Sequence, residues 1–366
     1  MEQRTPPITA CVLGSSATAP FGLDGPARLK VQLQRIGFRS DAGAGDADIL
    51  LSGDCAFGNS VLTALAEAAP GTLLADNRGR LAAARGPVDA GTAAAIAEGR
   101  KAPGGALTGT ELAGRYDAKL RKRADPMVMR LDDRAAAERA LYGASYKGVT
   151  DVVTKYVWPE PALIVTRWCA AAGITPNQVT FTGAALMAVA FWLFWNGHFG
   201  IGLAAAWAMT FLDTVDGKLA RVTLNSSKFG DVLDHGIDLV HPPFWYWAWA
   251  VGCAAVGLPL EHMGLVIGAI VGGYVLQRGE EAIFVARWGM HIHVWQRFDS
   301  LFRLVTARRN PNLVILTVFA ALNAPRAGLI AVAVWTVLCL VIHAVRIVQA
   351  FAAARRGPIV SWLAGS

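Results

Sequence analysis

From residue 177 onward, the chain is a succession of apolar stretches long enough to cross a lipid bilayer. Such a crossing takes about 20 residues of helix, because only a helix or a closed barrel satisfies its own backbone groups in hydrocarbon. The predicted spans are 178–196, 199–222, 229–257, 263–287, 311–324 and 327–353. We therefore expect an α-helical polytopic membrane protein with six transmembrane helices, the fifth being the shortest.

The first 155 residues differ in composition from the rest. They contain 20 of the 34 Lys and Arg and 17 of the 27 Asp and Glu, whereas all 12 Trp and all 7 His follow residue 157. Over the whole chain 54% of residues are hydrophobic and 17% are charged, against roughly a quarter in soluble domains. Disorder, collagen and coiled coil are excluded. We expect a soluble head (1–125), a connector (126–160) and a membrane domain (161–356).

Basic residues predict the orientation in the membrane. Arginines cluster after the fourth and sixth spans. In the loops at 196–199, 258–263 and 323–327, the only Lys or Arg residue is Arg326. Basic loops stay on the cytoplasmic side, so both termini and the head are expected in the cytoplasm, with the body in the cytoplasmic membrane. The start of the chain has no secretory pattern. Because the excess positive charge lies mainly beside apolar spans, it favours lipid over nucleic acid as a partner.

Two further features concern how the helices lie. Pro161–Ala172 is apolar but too short to span, which predicts an interfacial helix along the cytoplasmic face. Gly264, Gly268 and Gly272 repeat every four residues in the fourth span. Such a stripe is typical of close helix packing, either within the bundle or between two protomers of a homodimer.

Five acidic residues lie inside the second and third predicted spans: Asp213, Asp216, Asp231, Asp234 and Asp238. An Asp at mid-membrane costs roughly 2.5–3.5 kcal/mol, so a fold tolerates several only where they line a polar cavity or bind cations. The plainer alternative places them at helix ends, solvated or paired with nearby Lys and Arg. The ordered spacing favours a cation site.

That spacing places one pair of carboxylates on each of two helices. Asp213 and Asp216 are one turn apart, as are Asp234 and Asp238. Carboxylate oxygens are the ligands of hard divalent cations, and two such ions close together suit displacement at phosphorus. A phosphate would also find Arg221 one turn beyond Gly217.

These residues carry a resemblance to a known family. The run Asp213-Thr-Val-Asp216-Gly217-Lys-Leu-Ala220-Arg221, then eight residues, then Gly230-Asp-Val-Leu-Asp234-His-Gly-Ile-Asp238, is similar to the signature of the CDP-alcohol phosphotransferases, at all eight positions. The resemblance covers about residues 150–355. Members of that family transfer a phosphoalkyl group from a CDP-linked donor to an alcohol and release CMP.

The resemblance implies a role for each signature residue. Asp213, Asp216, Asp234 and Asp238 would bind Mg²⁺ or Mn²⁺, as two ions, and Asp238 would also deprotonate the acceptor hydroxyl. Gly217, Ala220 and Arg221, with Asp213 and Asp216, would hold the cytidine diphosphate. The expected donor is CDP-diacylglycerol and the expected acceptor an alcohol or phospho-alcohol. The reverse arrangement, a CDP-linked polar alcohol with a lipid hydroxyl, would use the same site.

The segment 278–310 is dense in polar groups. Arg278, Arg308 and Arg309 are candidates to bind a phosphorylated acceptor such as inositol phosphate or glycerol phosphate. A cytoplasmic loop held by salt bridges and lipid head groups is the alternative. His291 and His293 invite a zinc interpretation, but no third ligand lies near them in the sequence.

The head alternates short apolar runs with Ala-rich helical stretches, which predicts a small α/β domain with a largely parallel sheet. The order Leu50-Leu-Ser-Gly-Asp54 followed by a helix is similar to nucleotidyltransferase-like domains, which some members carry. Such domains have a Gly-rich loop ending in a basic residue, whereas here no Lys or Arg follows Gly14 before Arg28. A degenerate, non-catalytic head is therefore expected.

Two other functions stay open at this point. In the first, the head still transfers cytidylyl groups and the enzyme is bifunctional. In the second, the chain is a membrane scaffold or cation transporter that uses the same acids without chemistry. The ordered Asp, Gly, Ala and Arg spacing favours the phospholipid-synthesising transferase over both.

Overall fold

The computed structural model describes residues 7–113, 116–118, 120–123, 125–226 and 228–364; the side chains of 228, 229, 231–235 and 238 lie outside this description. The chain forms two compact units. The first comprises Met1–Tyr146 and Arg221–Asn225, and the second comprises Lys147–Ala220 and Ser226–Ser366.

The first unit is an α/β fold. Its strands are β1 (Ala10–Leu13), β2 (Ile49–Ser52), β3 (Cys55–Phe57), β4 (Leu73–Ala75), β5 (Leu81–Arg85), β6 (Tyr116–Asp117), β7 (Lys122–Arg123) and β8 (Val128–Arg130). Its helices are α1 (Gly25–Arg35), α2 (Asn59–Glu67), α3 (Ala90–Glu98), α4 (Gly109–Leu112) and α5 (Arg134–Ala144). Strands β1, β2, β5 and β4 form a four-stranded sheet in that order, while β3 pairs with β8 and β6 with β7.

The expectation of a largely parallel sheet is wrong. Only β1 and β2 run parallel in the four-stranded sheet, and β5 is antiparallel to both of its neighbours. The short turn between β4 and β5 returns the chain directly instead of through a crossover helix, which makes that pair antiparallel. The apolar runs are nevertheless buried as strands, since Ile49, Leu50 and Leu51 have no exposed surface.

The boundary of this unit lies later than residue 125, between Tyr146 and Lys147. Strand β8 pairs with β3, and Leu131 and Ala137 pack against Ala56 in a small apolar cluster. Much of the segment expected to be a connector therefore belongs to the head.

The second unit is helical. Its helices are α6 (Pro159–Ala171), α7 (Pro176–Trp195), α8 (Phe199–Val222), α9 (Lys228–Ala255), α10 (Met263–Trp288), α11 (Arg297–Phe302), α12 (Arg309–Ala321) and α13 (Pro325–Ala354). Six of these helices lie at the positions of the predicted spans: α7, α8, α9, α10, α12 and α13. Helix α12 begins and ends slightly earlier than the predicted range 311–324. Helix α7 begins with a capping box, in which Thr175 and Gln178 bond each other's backbone N–H.

Two of the described helices, α7 and α13, are long and apolar enough to cross a membrane by length and composition alone. The other long helices include α8, whose second half carries Asp213, Asp216 and Lys218. Asp216 and Lys218 are 4% and 3% exposed, so this charge faces the interior of the unit.

Indole groups fix the packing of the bundle. Trp207 Nε1 donates to Thr317 Oγ1 at 3.0 Å, Trp245 Nε1 to the Met187 carbonyl at 3.0 Å, and Trp249 Nε1 to the Pro325 carbonyl at 2.9 Å. Each bond joins two different helices or helix ends. These bonds satisfy the indole N–H groups and fix the helices relative to one another.

Glycines act at two close approaches. A Cβ at Gly252 on α9 would lie 1.9 Å from the Phe194 carbonyl oxygen of α7, and a Cβ at Gly273 on α10 would lie 2.7 Å from Thr336 Cγ2 of α13. In contrast, a Cβ at Gly264, Gly268 or Gly272 would meet nothing within 4 Å among the described residues. The predicted glycine stripe is therefore not a packing face within this described bundle.

Candidate active site

Helix α8 carries the first half of the signature. Asp213, Asp216, Gly217, Ala220 and Arg221 all lie in its C-terminal half, before the helix ends at Val222. The second half lies on α9, where the side chains of Asp234 and Asp238 are outside the described part. The described site therefore contains two of the four predicted metal ligands.

Asp216 is oriented by a neighbouring helix. Its Oδ2 accepts a hydrogen bond of 2.7 Å from the Thr180 hydroxyl of α7, and both side chains are buried. A hydrogen bond to a carboxylate is stronger than a neutral one, and it gains in a low-dielectric interior. Thr180 therefore restricts the rotation of Asp216 and leaves its other oxygen on the opposite side of the carboxylate.

Asp213 pairs with a residue from the far end of the domain. The Arg309 guanidinium at the start of α12 forms an ion pair with Asp213 Oδ2, and its Nη1 lies 3.8 Å from the sulfur of Met209. Both charged side chains are only partly exposed. One of the three arginines predicted to bind phosphate thus lies beside the signature.

The other two predicted arginines gather around Glu281 of α10. Arg308 forms an ion pair with Glu281 Oε1, which also lies 2.7 Å from His293 Nε2. Arg278 lies 3.5 Å from the second oxygen of Glu281, with its guanidinium 5.2 Å from the centre of the Tyr274 ring. Arg308 is 8% exposed, so Glu281 holds it as a fixed, neutralised group.

Buried amides fix the start of α12 that bears Arg309. Asn310 Nδ2 donates to Asp151 Oδ1 at 3.1 Å, and Asn312 Nδ2 donates to the Tyr246 hydroxyl at 2.8 Å. The segment from Thr306 to Asn312 therefore holds its two arginines on rigid backbone. Such rigidity gives a charged group a defined position in a binding site.

The described side chains do not by themselves form a complete metal centre. In the parts of the chain whose side chains are described, no group of three or more His, Cys, Asp or Glu is placed to share an ion. The zinc interpretation of His291 and His293 therefore gains no third ligand there. Asp213 and Asp216 do supply the oxygen donors that Mg²⁺ and Mn²⁺ prefer, one helical turn apart on α8.

In the head, two acids share one guanidinium. Arg130 Nη1 lies 2.9 Å from Asp54 Oδ2, and Arg130 Nε lies 3.4 Å from Asp76 Oδ2. Asp76 is further bonded by the backbone N–H groups of Arg78 and Arg80, each at 2.8 Å. The Asp54 carboxylate, at the end of the run that resembles nucleotidyltransferase-like domains, is thus neutralised by a side chain of the same unit.

The loop after β1 also lacks a basic group for phosphate. The first basic residue, Arg28, is 2% exposed, and its Nη2 donates to the Pro20 carbonyl at 3.0 Å. Burial lowers the pKa of the Arg28 guanidinium to about 10. Arg28 is committed to the interior of the head and does not reach a ligand in the loop.

Sequence reasoning missed Thr180 and Glu281. In the sequence, Thr180 is only a hydroxyl in an apolar helix, where such a group can bond a carbonyl of its own helix. Its oxygen does lie 3.1 Å from the Pro176 carbonyl, as well as 2.7 Å from Asp216 Oδ2. In the sequence, Glu281 is only an acid among arginines. Its contacts with Arg308 and His293 depend on how α10 and α12 pack, which the sequence does not show.

Comparison with known proteins identifies the same region. The family description CDP-alcohol phosphatidyltransferase matches residues 173–307, which include the whole signature. A phosphatidylinositol phosphate synthase of Mycobacteroides abscessus is 34% identical over 125 residues, or 32% of this chain and 56% of that protein. An archaetidylinositol phosphate synthase of Pyrococcus horikoshii is 27% identical over 184 residues, or 48% of this chain and 84% of that protein.

Two further proteins are similar to part of this chain. A bifunctional IPC transferase and DIPP synthase of Rubrobacter xylanophilus is 29% identical over 163 residues, which span 43% of this chain and 34% of that protein. A crystal structure of Mycobacterium tuberculosis phosphatidylinositol phosphate synthase, in complex with manganese and citrate, covers 51% of this chain and 88% of that one at 21% identity, with a TM-score of 0.40. A TM-score this low does not by itself establish a common fold.

The chain thus matches 56% of the length of the Mycobacteroides protein and a larger share of the Pyrococcus one. The residues that match the family description include all of α8, with Asp213 and Asp216. Residues 173–307 of this chain, which contain the whole signature, thus match the description of the CDP-alcohol phosphatidyltransferase family.

Proposed function

We propose that this chain is a phospholipid-synthesising enzyme that transfers a phosphatidyl group from CDP-diacylglycerol to a phosphorylated alcohol and releases CMP. The observation that carries the proposal is the family match over residues 173–307, which contains all eight signature positions. Four of those positions are aspartates, whose carboxylate oxygens suit a metal-dependent displacement at phosphorus.

The signature residues have separate tasks in this proposal. Asp213 and Asp216, with Asp234 and Asp238 of α9, would hold Mg²⁺ or Mn²⁺, as two ions. Such ions would supply the positive charge that neutralises the diphosphate of the donor and stabilises CMP as the leaving group. Thr180 keeps Asp216 in one orientation through its 2.7 Å hydrogen bond, so that this carboxylate is preorganised.

Asp238 is the proposed general base. It takes the proton of the acceptor hydroxyl while the hydroxyl oxygen forms a bond to the β-phosphorus of the donor. The bond from that phosphorus to the bridging oxygen breaks, and its electron pair leaves with CMP. A carboxylate performs this task when it lies within hydrogen-bond reach of the hydroxyl. Gly217, Ala220 and Arg221 hold the cytidine diphosphate.

The acceptor is proposed to be an inositol phosphate. Two of the similar proteins are named as synthases of phosphatidylinositol phosphate and archaetidylinositol phosphate, both of which carry a phosphorylated inositol head group. Arg309 lies beside Asp213 and is the candidate to meet the acceptor phosphate. Arg308 and Arg278, the other two candidates, both lie against Glu281, which offsets part of their charge and leaves Arg309 as the main candidate.

The same proposal includes the membrane topology. The six long helices α7, α8, α9, α10, α12 and α13 would span the cytoplasmic membrane, with both termini in the cytoplasm. Helix α6, whose Ile164 and Trp168 are 65% and 63% exposed, would lie in the interface. The glycine stripe of α10, which meets nothing within the described bundle, is available for a homodimer contact.

The head is proposed to be non-catalytic. A cytidylyltransferase needs a metal ion and a phosphate-binding loop, whereas here Arg130 neutralises Asp54 and Arg28 is buried. One of the similar proteins is bifunctional, so the alternative has a direct test. Incubation of the full chain with CTP, Mg²⁺ and inositol phosphate should release no pyrophosphate, and release that disappears in Asp54→Asn would contradict the proposal.

The transferase proposal is tested by CMP release. Detergent-purified protein is incubated with CDP-diacylglycerol and Mg²⁺, with inositol phosphate, glycerol phosphate, serine or inositol as acceptor. We expect release with one acceptor, no release with a chelator, and loss of at least a hundredfold in Asp238→Asn. Asp231→Asn is the matched control, because Asp231 lies on the same helix but outside the signature.

Two outcomes would contradict the proposal. Full activity in a folded Asp238→Asn variant would show that Asp238 is not the general base. Metal flux into liposomes without CMP release from any CDP-linked donor would favour a transporter.

A further inference from the structure

The end of the chain is folded back onto the second unit. Residues 357–364, here named the C-terminal strap, follow α13. Ser361 Oγ donates to the Val294 carbonyl at 2.7 Å, and the Trp362 backbone N–H donates to the Trp295 carbonyl at 3.1 Å. Trp362 Nε1 also donates to Ser300 Oγ at 2.9 Å. The strap is therefore bonded to the segment before and within α11, in a defined position.

The strap closes one side of an open cleft of about 590 Å³. Its charged lining consists of Arg297 and Arg356, and its aromatic lining consists of Trp295 and Trp362. The Arg297 guanidinium lies 5.4 Å from the centre of the Trp362 ring, which orients both side chains. A cleft of this volume accepts a group of the size of a lipid head group.

The charge of the cleft is uncompensated. No acidic residue lines it, and within the described ranges neither Arg297 nor Arg356 has a carboxylate within salt-bridge distance. The nearby Arg346 is the opposite case, since Asp299 accepts from it at 2.7 and 2.9 Å. Two guanidinium groups facing one cavity favour an anion, and a phosphate matches their planar donors.

The position of the cleft relative to the membrane indicates the source of that phosphate. Helix α13, one of the two helices apolar enough to span, ends at Ala354, two residues before Arg356. Beside Arg297, the α11 side chains Phe298 and Leu301 are 51% and 66% exposed. Exposed apolar groups next to arginines at the end of a span are typical of the head-group layer.

We propose that this cleft binds the phosphate of an anionic phospholipid, at a site separate from the signature aspartates. Arg297 and Arg356 bond the phosphate oxygens, and the rings of Trp295 and Trp362 cover the glycerol portion. The strap completes the site, because it supplies Trp362 and residues 357–361 of the lining.

The test is native mass spectrometry of the detergent-solubilised full chain with phosphatidylglycerol, phosphatidylcholine or inorganic phosphate. We expect at least tenfold tighter binding of phosphatidylglycerol than of phosphatidylcholine. Arg356→Gln and Arg297→Gln should each weaken phosphatidylglycerol binding about tenfold, as expected for one charge-assisted contact. Arg355→Gln is the matched control, since Arg355 is the exposed neighbour that does not line the cleft.

Three results would overturn the proposal. Equal weakening by Arg355→Gln and Arg356→Gln would indicate general surface charge. Equal binding of the two lipids would remove the anionic requirement. Full displacement of the lipid by millimolar inorganic phosphate would identify a free-anion site instead. CMP release by Arg356→Gln is measured separately, so that failure of the lipid-binding proposal can be told apart from failure of the proposed transferase activity.

Discussion

Arg309 and Asp213 form an ion pair between the start of α12 and the second half of α8. Arg309 is a predicted phosphate ligand and Asp213 a predicted metal ligand. The ion pair therefore joins the proposed acceptor site to the proposed metal site. A divalent cation at Asp213 competes with the guanidinium for the same oxygens. Release of Arg309 would then leave it available to an anionic substrate.

Arg309→Met should therefore lower catalysis without weakening metal binding. We expect Mn²⁺, followed by its paramagnetic resonance signal, to bind the variant at least as tightly as the wild type, while CMP release falls by at least tenfold. Arg326→Met is the control, because Arg326 lies in the first turn of α13 and, among the described hydrogen bonds and ion pairs, contacts only the Pro259 carbonyl at 3.5 Å. Weaker Mn²⁺ binding in Arg309→Met would show that Arg309 does not compete.

Thr180→Val should reduce activity through the orientation of Asp216. It removes the 2.7 Å hydrogen bond to a buried carboxylate, which is worth about 1.5–3 kcal/mol when the acceptor is charged. We expect CMP release to fall about tenfold or more and Thr180→Ser to restore it. Thr182→Val is the matched control, because the Thr182 hydroxyl bonds the Gln178 carbonyl in its own helix. Equal effects of the two valine variants would contradict the assignment.

Glu281→Gln should loosen the segment that holds Arg308. The carboxylate faces both Arg308 and His293, and loss of one partner from a buried pair costs about 3–5 kcal/mol, less here because some exposure remains. We expect a lower thermal midpoint for the full chain. The double variant Glu281→Gln with Arg308→Gln should be less destabilised than the sum of the single variants. Additivity would show that the two side chains do not interact.

Gly99→Ala should destabilise the head. Gly99 has φ +63°, and a Cβ there would lie 1.9 Å from the Arg130 guanidinium that bridges Asp54 and Asp76. The left-handed backbone alone costs an alanine about 1–2 kcal/mol. Gly104→Ala is the control, because its Cβ would meet nothing within 4 Å. Hydrogen exchange of the β5 amides should rise only in Gly99→Ala, and protection equal to wild type would contradict the expectation.

The hydrogen bonds of Asp48 predict that the stability of the head depends on pH. Hydrogen bonds from the Thr9 backbone N–H and hydroxyl, at 2.8 and 2.9 Å, hold the pKa of Asp48 below its ordinary value. A lowered native pKa stabilises the fold above the ordinary pKa of about 3.9, and this stabilisation is lost as pH falls through the native pKa.

Thr9→Val removes the hydroxyl bond and should lower the protection of the β1 and β2 amides from hydrogen exchange at neutral pH. The difference from wild type, compared at equal pH, should vanish on acidification. A difference that persists at all pH values would mean that the charge of Asp48 is not involved.

The sequence predicts some parts of this protein much better than others. Helices α7 to α10 are read from long apolar runs, and the spacing of Asp213 and Asp216 places both on α8 because helical periodicity is local. The mixed strand order of the head depends on pairing between distant segments, so the alternation of elements predicted the wrong sheet. Thr180 and Glu281 acquire their partners only through helix packing, which one sequence does not specify.

The bridge from Arg130 to Asp54 and Asp76 has a consequence for an experiment in which divalent ions are withdrawn. Because an arginine of the same unit lies against both acids, the head does not depend on a metal ion to hold them together. Chelation should therefore stop the proposed transfer while the head keeps its fold, and restored metal should return that activity without a refolding delay in the head.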